Sequence, residues 1–295
     1  MTDFLHTNEP EFRAALEFTT AETGFQPALI EKDYFCSLVL AGVVKIPNLP
    51  LVFKGGTLLN KAYVGFYRLS EDLDFTIPTS SDSARTERSR IAKTVGNALE
   101  QITAGVPGLT ITEPLCGFNN STQYRAMIGY ASVVGSNGVI QFEVSQREPV
   151  VLGVEKPMLR TLMVDAVSGE AAVPPFAMPA LSMREAYAEK VRAALTRRDA
   201  AIRDLFDIDH ASRDGILDFT DPTLLPLIAS KIRLPGNEIV ALDEVRAEGL
   251  RQQLETGLRP VLRAKDFRAF NFDQALANLR ELQEDVRAAL DQPSA

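Results

Sequence analysis

Apolar positions recur along the chain in three regimes. Residues 7–45 follow helical spacing and predict two helices. Thr7 is the expected cap of the first, with Pro10 early in it. Pro27 opens the second, where Leu29, Ile30, Phe35, Leu38, Val39 and Val43 form one stripe. The middle of the chain has shorter runs. Residues 51–53 read as a strand, 58–66 as a helix, and the segment leading from Arg68 to Ile77 as a second strand. After a polar break at 79–83, a helix capped by Asp82 or Ser83 runs to about Ala104. Strands are expected at 109–113, 123–134, 139–147 and 159–164. The turn 135–138 ends in Asn137-Gly138, a pair that tolerates positive φ, so 123–134 and 139–147 form a hairpin. Three prolines within 171–179 mark a linker. Helical spacing then returns at about 182–197, 200–213, 222–231, 237–256 and 272–290, punctuated by Pro235-Gly236 and Pro260.

This order predicts an α+β fold: a small mixed sheet flanked by N-terminal helices and a C-terminal helical region. The expected division is 1–170 and 171–295. A strand-helix-strand start followed by an antiparallel hairpin does not match a doubly wound Rossmann sheet.

Composition narrows the class. The 295 residues are 45% hydrophobic and 24% charged, an ordinary globular balance. No stretch approaches the roughly 20 apolar residues of a membrane span, and the N-terminus lacks a secretory pattern, so a cytoplasmic protein is expected. Cys36 and Cys116 with His6 and His210, far apart, supply neither a disulfide framework nor the spacing of a zinc site. A net charge of −8 argues against an unselective nucleic-acid coat. It leaves room for a local basic patch at Arg192, Arg197, Arg198 and Arg203, which reads equally well as a solvated helix face. Tyr63, Phe66, Tyr67 and Tyr124 suit either base stacking or core packing.

Two motifs carry chemistry. On a strand, Asp72 and Asp74 share one face while Leu73 and Phe75 take the other. Their positions lie about 6.5–7 Å apart, where two carboxylates can converge on hard, oxygen-preferring cations. Phosphoryl and nucleotidyl transfer use such pairs; a solvated acidic strand is the plain alternative. Lys54-Gly55-Gly56-Thr57 precedes this pair between a strand and a helix. Glycines admit a phosphate close to the backbone, Thr57 adds a hydroxyl and Lys54 a charge. The spacing is neither a P-loop nor a dinucleotide fingerprint, and by itself it is also compatible with a simple tight turn.

Taken together, the glycine turn, one helix and Asp72-x-Asp74 resemble the signature of DNA polymerase β-type nucleotidyltransferases. That superfamily takes a third carboxylate from a later strand. Here the alternation of 139–147 puts Gln141, Glu143 and Ser145 on one face, which makes Glu143 the candidate third metal ligand. The closer resemblance is to the AbiEii/AbiGii toxin family, which includes MenT-type toxins. It rests on Glu31-Lys32-Asp33-Tyr34, Phe53-Lys54-Gly55-Gly56-Thr57-Leu58, Arg68-Leu69-Ser70-Glu71-Asp72-Leu73-Asp74-Phe75, Phe142-Glu143-Val144-Ser145, Glu189-Lys190 and Arg203-Asp204-Leu205-Phe206-Asp207-Ile208. Beyond about residue 210 only generic helices are read.

The resemblance implies a toxin of a bacterial toxin–antitoxin or phage-defence module with a separate AbiEi-like antitoxin. It implies Mg²⁺ (or Mn²⁺) and an NTP, with the nucleotide passed to an acceptor such as the 3′ end of tRNA. It places catalytic weight on Asp72, Asp74, Lys190 and Asp207, and nucleotide binding on Lys54, Gly55, Gly56, Thr57 and Ser70. Ser70 matches a serine that some relatives have modified by their antitoxin. Spacing alone would make Asp207 half of a surface ion pair with Arg203, four residues away on one helical face. A protein hydroxyl or a small molecule as acceptor, or an NTP-binding protein without turnover, are the alternatives.

Overall fold

A computed structural model describes residues 4–78 and 84–291. The chain divides into two compact units: residues up to 150 with 154–181, and 151–153 with 182 onward. Residues 171–181, which the proline content suggested as the start of the helical part, therefore belong to the first unit.

In the first unit, α1 (Glu9–Thr23) and α2 (Pro27–Lys45) precede β1 (Val52–Lys54). The helix α3 (Gly55–Leu58) follows at once and continues as a π turn, Leu59–Tyr63. Then come β2 (Asp72–Thr76), α4 (Arg85–Ala104), β3 (Leu109–Phe118), β4 (Gln123–Tyr130) and β5 (Gly138–Ser145). Four two-residue strands complete the unit: β6 (Val154–Glu155), β7 (Met158–Leu159), β8 (Phe176–Ala177) and β9 (Ala180–Leu181). The main sheet has the order β3-β4-β5-β2-β1-β9-β6, and β7 pairs with β8 apart from it. Pairings β2–β5 and β1–β9 are parallel, and the others antiparallel. The sheet is thus mixed, as the order of elements predicts.

One sheet face is apolar. Phe53, Phe75 and Phe142 stack across three strands, with ring centroids 5.3 and 4.6 Å apart, and Leu73, Ala126, Ile128 and Ile140 extend the layer. Complete burial of such side chains contributes about 1.5–3 kcal/mol each. The N-terminal turn is stapled to this core by His6. Its Nε2 lies 2.8 Å from the Pro107 carbonyl and its Nδ1 2.9 Å from the Tyr34 hydroxyl. A carbonyl only accepts, so Nε2 carries the hydrogen and Nδ1 accepts from Tyr34. Burial pulls the imidazole below its ordinary value against the opposing pull of the Pro107 contact, and pushes the Tyr34 hydroxyl up to about 12.

The second unit is helical: α5 (Met183–Thr196), α6 (Ile202–Arg213), α7 (Leu224–Ile232), α8 (Glu244–Gln253), α9 (Ala264–Ala269) and α10 (Phe272–Asp291). Ser182 caps α5 by accepting from the Glu185 amide. A buried Lys231 bridges Glu185 (2.5 Å) and Glu189 (3.3 Å). The Glu185 carboxylate also accepts from the amides of Val151 and Leu152, which ties that short segment to this unit. No helix among the described residues is long and apolar enough to cross a membrane.

Several local expectations change. Thr7 does not cap α1; it lies in a 3₁₀ turn, its hydroxyl donates to the Phe4 carbonyl, and Asn8 precedes the helix. The helix expected at 58–66 begins at Gly55 and stops at Tyr63. The strand expected at 109–113 runs on to Phe118 through register shifts. It lies at the sheet edge, where a strand tolerates Pro114. The linker holds the strand β8 and leads directly into β9, and the strand expected at 159–164 shrinks to β7. The helix expected from 237 starts at Glu244, where the Asp243 side chain accepts from the Arg246 amide. The polar break at 79–83 and its caps Asp82 and Ser83 lie outside the described residues.

Candidate active site

The core pattern fixes the direction of the acids. Leu73 and Phe75 are buried in the apolar layer, so Asp72 and Asp74 stand on the opposite face of β2. Register then extends the row. Asp74 is opposite Lys54 on β1 and opposite Glu143 on β5, and Asp72 is opposite Gln141. Registered partners share a face, at strand spacings of about 4.8 Å. Lys54, Asp74 and Glu143 thus form one line across three strands. Gln141 Nε2 donates to Glu143 at 3.0 Å, and Lys54 Nζ lies 3.9 Å from the carboxylate of Glu148.

The two glycines follow from close approach. Gly55 has φ +78°, and a Cβ there would collide with Asp74 Oδ2 and come within 3.0 Å of the Asp74 Cβ and Cγ. A Cβ on Gly56 would lie 2.6 Å from Arg68 Nη2 and 3.1 Å from Ser70 Oγ. The absent side chains let the strand-to-helix junction sit directly against Asp74 on one side and against Arg68 and Ser70 on the other. Thr57 Oγ1 donates to the Asp72 carbonyl at 2.5 Å and so holds the acidic strand to this junction. The junction is not a free turn: the helix span opens on Gly55, whose own φ is left-handed, and follows β1 with no residue between. A Gly55→Ala variant is therefore expected to lose at least tenfold in activity and about 1–3 kcal/mol in stability, from strain at positive φ and a displaced Asp74. Paired thermal melts and rate measurements check this; unchanged values for both would remove Gly55 from the site.

Three residues of α2 brace the same region, and pattern reading gave them no role beyond belonging to a motif. Glu31 is fully buried and accepts from Ser132 Oγ at 2.5 Å and from the Val133 amide at 2.8 Å, fixing the β4–β5 connection. Lys32 pairs with Glu71 at 3.4 Å, beside Asp72. Asp33 accepts from Lys61 Nζ at 2.6 Å, anchoring the π turn that follows the glycines, and from the Leu162 amide at 2.9 Å. Arg68, 1% exposed, and Glu148 are further buried charges beside the glycines and Lys54. The sequence signal for these residues was a charged side chain next to a hydrophobic run, which is common to solvated positions.

Asp72, Asp74 and Glu143 share a face, yet among the described residues no three His, Cys, Asp or Glu side chains close into a metal cage. Of the aromatic candidates, Tyr67 and Tyr124 belong to the core. The Tyr63 hydroxyl lies 2.9 Å from Glu155 and 2.8 Å from the Leu181 carbonyl, so its ring is tied to the β6–β9 edge. Phe66 faces Lys61 Nζ at 5.8 Å.

Within the second unit, Lys190 bridges Asp204 (2.8 Å) and Asp207 (2.9 Å), and Asp207 is 0% exposed. Asp204 also pairs with Arg197 at 2.9 Å. Arg203 Nε donates to the Gly257 carbonyl at 3.0 Å. The four arginines considered as a basic patch are thus unequal: Arg197 and Arg198 are exposed, Arg192 and Arg203 are half-buried, and Arg197 and Arg203 are engaged within the unit.

A comparison with curated proteins gives no match. Among solved structures, a candidate nucleotidyltransferase from H. pylori is similar in fold, with a TM-score of 0.52 and 14% identity. The match covers 90% of this chain and 98% of that one. The family model described as nucleotidyl transferase AbiEii toxin, type IV toxin–antitoxin system, matches residues 39–292. That span includes the helices after residue 210, in which the sequence showed no family signal. The chain belongs to the AbiEii family of toxin nucleotidyltransferases.

Proposed function

We propose that this toxin transfers a nucleotide from an NTP to the 3′ end of tRNA, with Mg²⁺ or Mn²⁺ held by Asp72 and Asp74. The observation that carries the reading is the line Lys54–Asp74–Glu143 beside a glycine junction packed on Asp74. The donor set suits a hard cation that arrives with its nucleotide. Mg²⁺ is usually held by one or two carboxylates, with substrate phosphates and water filling the shell, so no complete protein cage is required. When bound, such a cation activates the attacking oxygen and steadies the departing pyrophosphate.

In this reading Asp72 and Asp74 hold the cation, and Glu143 adds negative charge from the neighbouring strand. Gly55 and Gly56 leave room for phosphates at the backbone. Lys54 and the Ser70 hydroxyl attract and orient them, while Thr57 steadies the acidic strand. Lys190 and Asp207 are assigned a part in the reaction on separate grounds. A lysine shared by two carboxylates, one wholly buried, is expensive to desolvate, and the resemblance of these positions to the family gives it a purpose. The family implies an antitoxin partner; we identify it as a cognate AbiEi-like protein acting in the cytoplasm.

Incubation with each of four α-labelled NTPs, Mg²⁺ and separate pools of total tRNA, protein and small molecules tests the reading. Metal-dependent label on the 3′ end of tRNA is expected. Label confined to protein or small molecules would overturn the acceptor, and binding of NTP without turnover on any pool would overturn the enzyme.

A further inference from the structure

We propose that Arg125 and Phe118 form the subsite for the acceptor strand, gripping a phosphodiester and stacking a base beside the acidic row. This rests on the reading that the acceptor is RNA. Register continues the row beyond the acids: Glu143 is opposite Arg125 on β4, and Arg125 is opposite Cys116 on β3. Phe118 is two residues beyond Cys116 and shares its face. The Gly117 between them turns the other way, where a Cβ would meet the Tyr124 ring at 2.8 Å. The Arg125 guanidinium lies 6.0 Å from the Phe118 ring centroid, and Phe118 is 39% exposed.

The charges are ordered by substrate. Lys54 flanks the carboxylates on the side of the glycine junction, where a triphosphate is accommodated. Arg125 flanks them on the other side, two strands or about 10 Å from Asp74. A reaction between two polyanions at a carboxylate pair needs a cation for each, and this row has one at either end. A planar cation over an exposed aromatic ring is the pairing that binds single-stranded nucleic acid without regard to sequence. The turn carrying this end of the sheet is also built. Arg88 donates to the carbonyls of Ser121 (3.1 Å) and Asn120 (3.2 Å), and the Gln146 amide donates to the Thr122 carbonyl at 2.8 Å.

The test uses the full chain, α-labelled NTP and total tRNA as the probe. Arg125→Ala is expected to raise KM for tRNA about tenfold, leave KM for NTP within twofold, and lower the slope of log affinity against log salt by about one. Phe118→Ala is expected to raise KM for tRNA about tenfold with the salt slope unchanged, and Phe118→Trp to restore it. Both side chains are exposed, so loss of fold is checked by melting temperatures, and Arg125→Lys provides a second variant with the charge kept. Wild-type KM for tRNA in both alanine variants would overturn the subsite while leaving nucleotidyl transfer to tRNA standing. If the wild-type chain labels protein or small molecules and no RNA, the acceptor reading fails first and the subsite with it.

Discussion

Asp74→Asn should lower nucleotidyl transfer by about three orders of magnitude or more and abolish growth inhibition, with the fold retained. The substitution keeps shape and removes one charge at the centre of the row, between Lys54 and Glu143. It halves the carboxylate charge of the Asp72–Asp74 pair that attracts the cation. It also relieves like-charge repulsion, so the melting temperature in the absence of metal should stay level or rise. Initial rates at saturating NTP and metal, paired with colony counts on induction, give the comparison. Rates within threefold of wild type, at an unchanged metal requirement, would put the chemistry elsewhere in the molecule.

The second large effect concerns stability. Asp33→Ala should destabilise the first unit by about 3–5 kcal/mol, against the 5–15 kcal/mol typical of a whole domain. Lys61 would remain buried with its nearest counter-charge gone, and the Leu162 amide would lose its acceptor. The harm lies in leaving one charge alone, not in lacking a pair. The double variant Asp33→Leu/Lys61→Met should therefore recover most of the loss. Because the two units need not melt together, hydrogen exchange at amides of β1 and β2 reads the effect more directly than one midpoint. A single variant within 1 kcal/mol of wild type would mean that Lys61 finds another partner or water.

Much of this was readable from residues alone, and the reason differs by feature. The direction of Asp72 and Asp74 came from strict alternation on β2, where Leu73 and Phe75 leave the other face no choice. The order of helices, mixed sheet and helices followed from changes of period, which tertiary packing seldom reverses. The parallel pairing of β2 with β5 was hidden, because no local signal states which distant strand lies alongside; yet that pairing brings Glu143 level with Asp74. The strands β6, β8 and β9 were hidden because two-residue strands have no measurable period, and prolines near them read as punctuation. The bracing by Glu31, Lys32 and Asp33 was hidden because a charge on an apolar helix looks the same whether it meets water or a buried partner. Lys190 illustrates another gap: spacing within one helix offers Arg203 as a partner for Asp207, and says nothing of Lys190, which reaches Asp207 from the preceding helix at 2.9 Å.

The position of β9 has a consequence for synthesis and truncation. Phe53 pairs with Ala180, so the strand that ends in Lys54 gains its second neighbour only from chain made over a hundred residues later. A nascent toxin emerging from the ribosome carries its acidic strand and glycine junction long before that neighbour arrives. A fragment stopped at residue 170 should therefore present β1 as a bare edge and self-associate, whereas one extended through Leu181 should have that edge occupied.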